Sequence, residues 1–343
     1  MYSAVDGQAG VLAYSGMAVA TDCGALGSLV VTGGGHADYY GNEVYVFDLA
    51  TERWTRINNP STAFTGVGDT DPMCDWAHGE YGDGSPIASH TYNNLQVVPY
   101  GVRGLLLNCL SAGMYGTGGR ANGWSHACDL ATGVWFRYSN NSAPPPLGQS
   151  ITCLDAPRNR VWRLSAGGYH GTFSYLDLAT RMHVQVPFAS SNVGYDPVAA
   201  AIPVRDLLLF TTGIGAYNTP MTFTMCAVDL ARTERGVMTL KVAGDIPPPT
   251  TTTGWGFDWS PAHNAAFTFM GNADLAHVYR MDPPAGDLLT GTWKVTRIAL
   301  TQPLVKERGG GLYSRWRYVP TIKKFVYVAS TTDRVAFWSP AID

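Results

Sequence analysis

One four-residue phrase, Asp-Leu-Ala-Thr, recurs along the chain and constrains its fold more than any other feature. It occupies residues 48–51, 129–132 and 177–180, weakens to Asp-Leu-Ala-Arg at 229–232, and becomes Asp-Pro-Pro-Ala at 282–285. Successive copies start 81, 48, 52 and 53 residues apart. A period of about fifty is typical of repeat architectures in which each repeat is one supersecondary unit. The one longer spacing predicts a single insertion.

Each repeat is predicted to contain four short strands. Polar and apolar residues alternate in runs that are bounded by Gly, Pro, Asn and Asp, which is the pattern of half-buried strands between tight turns. The last predicted strand of the fourth repeat covers residues 238–242, and the first predicted strand of the sixth covers residues 316–319. The sixth repeat stops one strand short, at the end of the chain. Residues 1–5 form a strand-like segment that would complete it and leave no sheet edge open.

The composition agrees with an all-β fold. Charged residues make up only 14% of the chain, which contains 39 Gly and 21 Pro, whereas a helical protein would need more Glu, Lys and Arg on its exposed faces. We therefore predict one β-propeller domain over residues 1–343, with six four-stranded blades and a ring closed by the N-terminal strand. Seven blades are the alternative, and the seventh would have to lie in residues 58–88. That stretch lacks two consecutive strand-like runs, so we predict a long loop insertion there.

The first repeat carries a recognisable motif. An apolar strand ends in three glycines at 33–35, a polar loop follows, and Val-Tyr-Val-Phe-Asp at 44–48 precedes Trp54. This pattern resembles the kelch repeat, which also occurs in galactose-oxidase-like propellers. The match weakens along the chain, and repeats four to six are recognisable mainly by their spacing. Copper chemistry of the galactose-oxidase kind would need Tyr and His ligands beside a cross-linkable Cys, a combination this sequence does not offer, so we expect no cofactor.

The up-and-down order of the strands sorts the loops into two faces. Loops between strands two and three, and loops from strand four into the next blade, share one face, which we call the candidate face. The remaining loops form the opposite face and are short, plain turns. Binding residues concentrate on loops held by a rigid scaffold, and aromatic rings beside Asn, Asp and His suit the apolar faces and hydroxyl rims of sugars.

Two sets of residues on the candidate face are predicted to form the site. Histidine suits proton transfer because neighbouring groups easily move its pKa. A structural role stays open for several of them, such as a His36 that bonds the neighbouring blade or a His90 that lines the channel. The catalytic candidates are His36, Tyr40, His90, Tyr92, His170 and Arg315. The substrate-binding candidates are Asp38, Tyr39, Asn42, Trp76, His78, Asn93, Tyr115, Arg120, Trp124, Tyr169, Trp255 and Tyr313.

Two functions follow as hypotheses. Propeller lyases for uronic-acid polymers are similar in architecture, and this resemblance implies a His or Arg that neutralises the carboxylate. It also implies a Tyr or His that takes the C5 proton, and a Tyr that returns a proton to the leaving oxygen. The first hypothesis is therefore a polysaccharide lyase. The second is a non-catalytic propeller that binds a glycan or a protein as a bacterial surface or phage virion component. An intracellular kelch adaptor is a weaker third hypothesis.

The charge and hydropathy of the chain limit the classes of partner that it is expected to bind. The formal net charge is −3 and no basic stripe is visible, which argues against nucleic acid. The sequence contains no apolar run of about 20 residues, which is the length that a membrane-spanning helix needs. We expect a glycan or another extracellular ligand as the partner. An extracellular, cell-surface or virion location is favoured over the cytoplasm, although no signal peptide is visible. The six cysteines lack metal-type spacing, and no metal site is expected. Cys109 and Cys128 fall in neighbouring predicted strands, and whether they pair stays open.

Overall fold

The computed structural model describes most of the chain and is built almost wholly of strands. Its helices, within the described part, are 3₁₀ turns of three residues such as Gly10–Leu12 and Tyr313–Arg315. No helix there is long and apolar enough to cross a membrane. The described residues are 10–34, 41–61, 74–75, 77–109, 123–142, 150–165, 172–189, 195–202, 205–214, 221–249, 255–308 and 311–340.

The first two blades are four-stranded antiparallel meanders separated by the insertion. Blade one contains β1 (Ala18–Ala20), β2 (Ser28–Val31), β3 (Tyr45–Asp48) and β4 (Arg53–Arg56). The insertion carries a small hairpin of β5 (Cys74–Asp75) and β6 (Glu80–Tyr81), where the sequence predicted only a loop. Blade two contains β7 (Leu95–Val98), β8 (Leu105–Asn108), β9 (His126–Asp129) and β10 (Trp135–Arg137).

Blades three and four repeat the same meander. Blade three contains β11 (Ser150–Asp155), β12 (Arg160–Ser165), β13 (Phe173–Asp177) and β14 (Met182–Gln185). Blade four contains β15 (Tyr195–Ile202), β16 (Leu207–Ile214), β17 (Thr222–Asp229) and β18 (Met238–Thr239).

The last two blades differ in their strand number. Blade five contains β20 (Trp255–Ser260), β21 (Ala265–Met270), β22 (Asp274–Asp282) and β23 (Thr292–Ala299), and a fifth strand, β19 (Lys241–Gly244), joins its outer edge. Blade six shows three strands in the described part, β24 (Trp316–Val319), β25 (Lys324–Tyr327) and β26 (Ala336–Trp338). Residues 1–5, which were predicted to complete blade six, lie outside the described residues.

The outer edge of blade four differs from its prediction. The sequence predicted one strand over residues 238–242, but the segment is divided at Leu240, whose amide bonds the carbonyl of Met225 at 2.9 Å. The chain then crosses to the next blade, where β19 pairs in parallel with β23. A single strand-like run in the sequence therefore serves two blades.

Hydrophobic packing holds the blades together as a ring. The buried apolar residues described here form six clusters, and each lies between two neighbouring blades. A single sheet cannot bury both of its faces, so each blade depends on its neighbours. One cluster joins the first blade to the last, with Met17 and Leu29 packed against Val319, Val326 and Val328. The six-bladed prediction is thus confirmed, and in the described residues this packing joins the two ends of the ring together with the bond from the Met17 amide to Oγ of Ser314.

A left-handed residue precedes the second strand of every blade. Such a backbone strains any residue except glycine, and Asn or Asp tolerate it best. In the first four blades the carbonyl of this residue accepts the amide of the Leu in the Asp-Leu phrase. Pro283 has no amide to donate, so the fifth copy lacks this bond. The left-handed residues are Gly27, Gly104, Asn159, Asp206, Asn264 and Lys323, with φ of 82°, 86°, 53°, 55°, 45° and 53°.

The aspartate of the repeated phrase caps the turn that follows. Asp48 accepts the amides of Ala50 and Thr51, both at 2.9 Å. Asp129, Asp177 and Asp229 each accept an amide in the same way. These bonds give the four aspartates a structural role in the turns of the repeat. In blade five the cap is Asp287 rather than Asp282.

The six cysteines are free thiols, so Cys109 and Cys128 do not pair. Burial raises the pKa of both of these thiols to about 12. A thiol with such a pKa is inert at neutral pH, because the thiolate is the reactive form. They serve as small apolar residues of the core.

Candidate functional site

Three tyrosines mark the mouth of the ring on the candidate face. Tyr14, Tyr92 and Tyr313 stand just before the innermost strands of blades one, two and six. Each has a left-handed backbone, with φ of 50°, 44° and 47°. This conformation costs a residue with a Cβ roughly 1–2 kcal/mol, and such strain is concentrated at functional sites.

Two of the three rings contact His90 and the third contacts Tyr92, and the four residues form what we call the tyrosine–histidine cluster. Tyr14 stacks on the His90 ring with centroids 4.6 Å apart and planes 29° apart. Tyr92 meets His90 and Tyr313 edge-on, at 5.5 and 5.3 Å. The hydroxyl of Tyr92 lies 3.1 Å from Nδ1 of His90. A phenol and an imidazole are therefore in hydrogen-bond contact inside an aromatic surface.

Close backbone contact fixes the position of the cluster. The amide of Tyr92 donates to the carbonyl of Tyr14 at 2.9 Å, and that of Met17 donates to Oγ of Ser314 at 3.0 Å. Gly16 sits between these segments. A Cβ at this position would lie 2.0 Å from Oγ of Ser314 and 2.2 Å from the carbonyl oxygen of Tyr92. Only a glycine at this position lets the segments that precede the innermost strands of blades one, two and six come into contact here.

Exposure separates the members of the cluster. Tyr14 and Tyr92 are half-buried, whereas His90 is 6% and Tyr313 1% exposed. Tyr14 and Tyr92 therefore supply most of the accessible aromatic surface, and His90 lies behind them. A ligand that rests on this surface would meet the Tyr92 hydroxyl, with the imidazole as its proton partner.

A salt bridge clamps the insertion onto blade two. Nε and Nη2 of Arg137 donate to the two carboxylate oxygens of Glu80 at 2.6 and 2.7 Å, and Nε2 of His126 lies 3.0 Å from the first of them. Burial alone would raise the pKa of Glu80, but the hydrogen bonds and charges of Arg137 and His126 lower it to about 2. The carboxylate is thus ionised at any physiological pH, and the hairpin β5–β6 is firmly attached.

The clamped hairpin brings two predicted binding residues together. The His78 ring lies 5.0 Å from the ring of Trp124, and the Arg137 guanidinium lies 5.0 Å over the same indole. Nδ1 of His78 is 2.6 Å from a carboxylate oxygen of Asp75, and this hydrogen bond lowers the pKa of Asp75. Asp75, His78 and Trp124 form a second, partly exposed aromatic and polar patch on the candidate face.

Arg315 lies inside blade six. It is fully buried, and Nη1 donates to the carbonyls of Val328 and Ala329 at 3.1 and 2.8 Å. Nη2 bonds the carbonyl of Gly311 and the carboxylate of Glu307. These bonds tie the segment before blade six to its second strand, which favours a structural role over the catalytic role that the sequence suggested.

Three predicted binding residues are also buried in structural positions. Trp255 has no exposed surface and packs in the cluster between blades four and five. The side-chain amide of Asn42 donates to Oγ of Ser85 and to the carbonyl of Pro86, which ties the insertion to blade one. Asn93 is 1% exposed, and its carbonyl accepts from blade three. Their burial favours roles in holding the face together.

The structure therefore brings His90, Tyr92 and Tyr313 together at the mouth and His78 and Trp124 together on the insertion. The loop after β2 leaves close to the mouth, because Oγ1 of Thr91 donates to the carbonyl of Thr32 at 3.3 Å. The other predicted site residues lie outside the described residues: His36, Asp38, Tyr39, Tyr40, Trp76, Tyr115, Arg120, Tyr169 and His170.

Sequence reasoning missed Tyr14 and Arg137. Tyr14 carries a usable signal, because Tyr-Ser occurs at 14–15 and again at 313–314, each shortly before an innermost strand. Arg137 carries none, because its partner Glu80 is 57 residues away. Across the described ranges, no group of three or more His, Cys, Asp and Glu could hold a metal ion.

Strand order and packing define the protein as a six-bladed β-propeller with an aromatic site at one mouth of the ring. No family model matches the chain, and no curated protein matches it. Solved structures that are similar to it, such as the following three, have low sequence identity and show no more than a shared fold. The chain spans less than two thirds of each of them.

The first similar structure is TolB from Acinetobacter baumannii, at 12% identity and a TM-score of 0.41, covering 87% of this chain and 64% of that one. The second is a hypothetical selenium-binding protein from Sulfolobus tokodaii, at 10% and 0.45, covering 84% and 60%. The third is the GH74 xyloglucanase from Xanthomonas campestris, at 14% and 0.48, covering 96% and 46%.

Proposed function

We propose that the protein is a carbohydrate-active propeller that cleaves a uronic-acid-containing glycan by β-elimination at the tyrosine–histidine cluster. The observation that carries the proposal is the 3.1 Å contact between the Tyr92 hydroxyl and Nδ1 of His90. It places an acid–base pair within an aromatic surface at the mouth of the ring.

The surface around this pair suits a sugar chain. The rings of Tyr14 and Tyr92 offer apolar faces for a pyranose and hydroxyls for its polar rim. The patch of Asp75, His78 and Trp124 extends the surface along the insertion. The amide of Ile87 bonds the carbonyl of Gly79 at 2.9 Å. Because neighbouring Cα atoms are about 3.8 Å apart, this bond keeps His78 within roughly 20 Å of His90, a short stretch of glycan.

The pair can carry the protons of the elimination. The Tyr92 oxygen takes the C5 proton of the uronate while the phenol proton passes to Nδ1 of His90. The C4–O bond then breaks, a C4–C5 double bond forms, and the same pair returns a proton to the leaving oxygen. One proton leaves the substrate and one reaches the product, so the pair ends in its starting state. Such proton transfer contributes about 10²–10⁴-fold to rate.

A non-catalytic glycan- or protein-binding propeller is the second candidate, and one observation favours it. Arg315, which was one of the His and Arg candidates for neutralising the uronate carboxylate, donates to backbone carbonyls and Glu307 within its own blade. A binding module would use the same aromatic face without needing this cation. Under either function we expect a glycan or another extracellular ligand as the partner, and a place outside the cell, at a surface or on a virion.

The glycine-ended strand and the Asp-Leu-Ala-Thr turns support grouping this propeller with the kelch type, as part of the same proposal. The turn bonds made by Asp48 and Leu49 give that motif a physical role in this chain. A binding function on the candidate face fits that grouping, because the motif leaves the loops of this face unconstrained.

The test is incubation with a panel of acidic polysaccharides while the ultraviolet absorbance of an unsaturated product is followed. Tyr92→Phe keeps the ring and removes the relay, and we expect an activity loss of about 100-fold or more. His90→Ala should lose as much. Tyr100→Phe and His263→Ala on the opposite face are matched controls and should keep full activity. Glycan binding without product would establish the second candidate, and full activity in both site variants would refute the lyase.

A further inference from the structure

The outer edge of blade six differs from that of the other blades. In the part of the chain that the structure describes, the third strand of blade six, β26, is paired on one side only, with β25. The third strands of blades one to five are each paired on both sides. A strand edge of this kind presents backbone donors and acceptors to which another strand can be added.

Two cavities flank this edge, one on each face of the sheet. The larger measures about 490 Å³ and lies toward blade five, where Leu300 and Trp338 line it. The smaller measures about 300 Å³ and lies toward blade one, where Trp54 and Val335 line it. Residues 333–335 line both. Because side chains alternate between the two faces of a strand, one extended segment along this edge would fill both cavities.

The other blades show which side of a fourth strand faces the larger cavity. Counted from the left-handed residue before the second strand, Trp338 occupies the position that Phe47 has in blade one and Cys128 in blade two. Opposite that position on the fourth strand stand Trp54 and Trp135. Both indoles pack toward the preceding blade. An aromatic residue opposite Trp338 would likewise face blade five and enter the larger cavity.

We propose that residues 1–5, which lie outside the described part, dock on this edge as the fourth strand of blade six, with Tyr2 opposite Trp338. In this antiparallel register the Tyr2 ring fills the larger cavity. Val5 then lies opposite Val335 and fills the smaller one. A slip of one residue would exchange the two faces and place a methionine or a serine opposite Trp338. The cavities thus select a register that the sequence pattern left open.

The length of chain between this segment and blade one fits the docking. Residues 6–17, twelve in all, would connect Val5 to β1, and the twelve residues 138–149 make the corresponding connection from β10 to β11. Val11 and Leu12 already pack in the cluster that joins blade six to blade one. The segment therefore starts from the correct side of the ring, and its docking does not depend on the proposed catalysis.

A pair of cysteines tests the register directly. Val5→Cys with Val335→Cys places two thiols opposite each other, and mild oxidation should link them within one molecule. Ala4→Cys with Val335→Cys is the matched control and should link at least about tenfold more slowly, because neighbouring residues of a strand point to opposite faces. Peptide mapping without reductant measures both. A control pair that links equally fast, or a link between two molecules, would overturn the proposal.

Hydrogen exchange tests the anchoring role of Tyr2. Tyr2→Ala should speed amide exchange in residues 1–5 and in β26 at least about tenfold, because the strand loses the ring that holds it in the larger cavity. Tyr2→Phe keeps the ring and should keep the protection. Tyr100→Ala removes a tyrosine that is 52% exposed on the opposite face and should change neither segment.

The wild-type protein decides the matter if the cysteine variants fail to fold. Slow exchange in residues 1–5 that is lost in Tyr2→Ala and kept in Tyr2→Phe would support the docking. Fast exchange throughout residues 1–5 of the wild type, or equal exchange in the wild type and Tyr2→Ala, would refute it.

Discussion

At the scale of the residue, backbone conformation distinguishes the mouth of the ring on the candidate face from the rest of the ring. Left-handed residues occur in the turns of every blade, where Gly, Asn and Asp carry most of them. At the mouth the same conformation is carried by Tyr14, Tyr92 and Tyr313. Tyrosine gains nothing locally from this backbone. The compensating gain is the ring contacts of the cluster, in which Tyr14 and Tyr92 meet His90 and Tyr313 meets Tyr92.

Gly16 is expected to be the residue on which this cluster depends most. Gly16→Ala would place a methyl group about 2 Å from Oγ of Ser314 and from the carbonyl oxygen of Tyr92. The segments before the innermost strands of blades one, two and six would therefore have to separate. We expect a loss of several kcal/mol in the free energy of unfolding, the range of severe overpacking. Urea unfolding measures it, with Gly286→Ala as the control because that site has open space. If Gly16→Ala left the free energy of unfolding unchanged, the three segments would not be in close contact.

Lys323 offers the opposite experiment. Its φ of 53° strains a lysine in a turn where other blades use Gly, Asn or Asp, and its side chain is exposed. Lys323→Gly should therefore raise the free energy of unfolding by about 1 kcal/mol. Lys324→Gly, one residue later in β25, should lower it by roughly 0.5–1 kcal/mol. Equal effects of the two substitutions in urea unfolding would contradict a left-handed turn at 323.

At the scale of the element, the sequence predicted strands well where they pair locally. β24 was predicted with its observed bounds, Trp316–Val319, because alternation and flanking turns agree there. The prediction was wrong at residues 238–242, because the second half pairs with a strand some fifty residues further along, and periodicity does not report a partner. The hairpin β5–β6 was missed because two-residue strands are too short to show a period.

The site was less predictable than the fold, for a related reason. Loop position placed His90, Tyr92 and Tyr313 on one face, and the structure brings their rings together. Loop position could not show that Arg315 and Trp255 point into the protein, because burial depends on the neighbouring blade. The direction of a side chain just before an innermost strand is decided by the packing of the assembled ring.

The insertion is expected to be a fixed element rather than a lid, and pH tests this. The pKa of Glu80 is about 2 in the folded protein against 4.5 for the free group. Because the folded pKa is depressed, the stabilisation is complete above about pH 4.5 and is lost as pH falls toward 2. A shift of this size corresponds to about 3 kcal/mol.

Unfolding free energies between pH 7 and pH 3 measure this effect of the clamp. Glu80→Gln should remove that part of the pH dependence and lower stability at neutral pH, because the half-buried guanidinium of Arg137 loses its carboxylate partner. Glu234→Gln, an exposed change in blade four, should leave the pH profile unaltered. A wild-type profile in Glu80→Gln would show that the clamp does not hold the insertion.

At the scale of the whole molecule, stability is a property of the ring rather than of its blades. Each apolar cluster belongs to two blades, including the one that joins blade six to blade one. Loss of one interface therefore weakens two neighbours at once, and the ring should unfold cooperatively.

Val326 tests the closing interface. It has no exposed surface and lies between blades six and one. Val326→Ala should lower the free energy of unfolding by about 2 kcal/mol through lost burial and the cavity left behind. Val134→Ala is the control, because Val134 is 58% exposed. A separate early transition of blade six in urea, in place of one shifted transition, would contradict a cooperative ring.

The crossing of β19 from blade four to blade five has a mechanical consequence. The two blades share one length of chain, so the boundary between sequence repeats is not a boundary between separable bodies. If the protein were pulled by its two ends, the parallel pairing of β19 with β23 would load blades four and five together. Across the described residues, packed side chains and the bond from the Met17 amide to Oγ of Ser314 join blade six to blade one, and the first rupture is then expected at this junction.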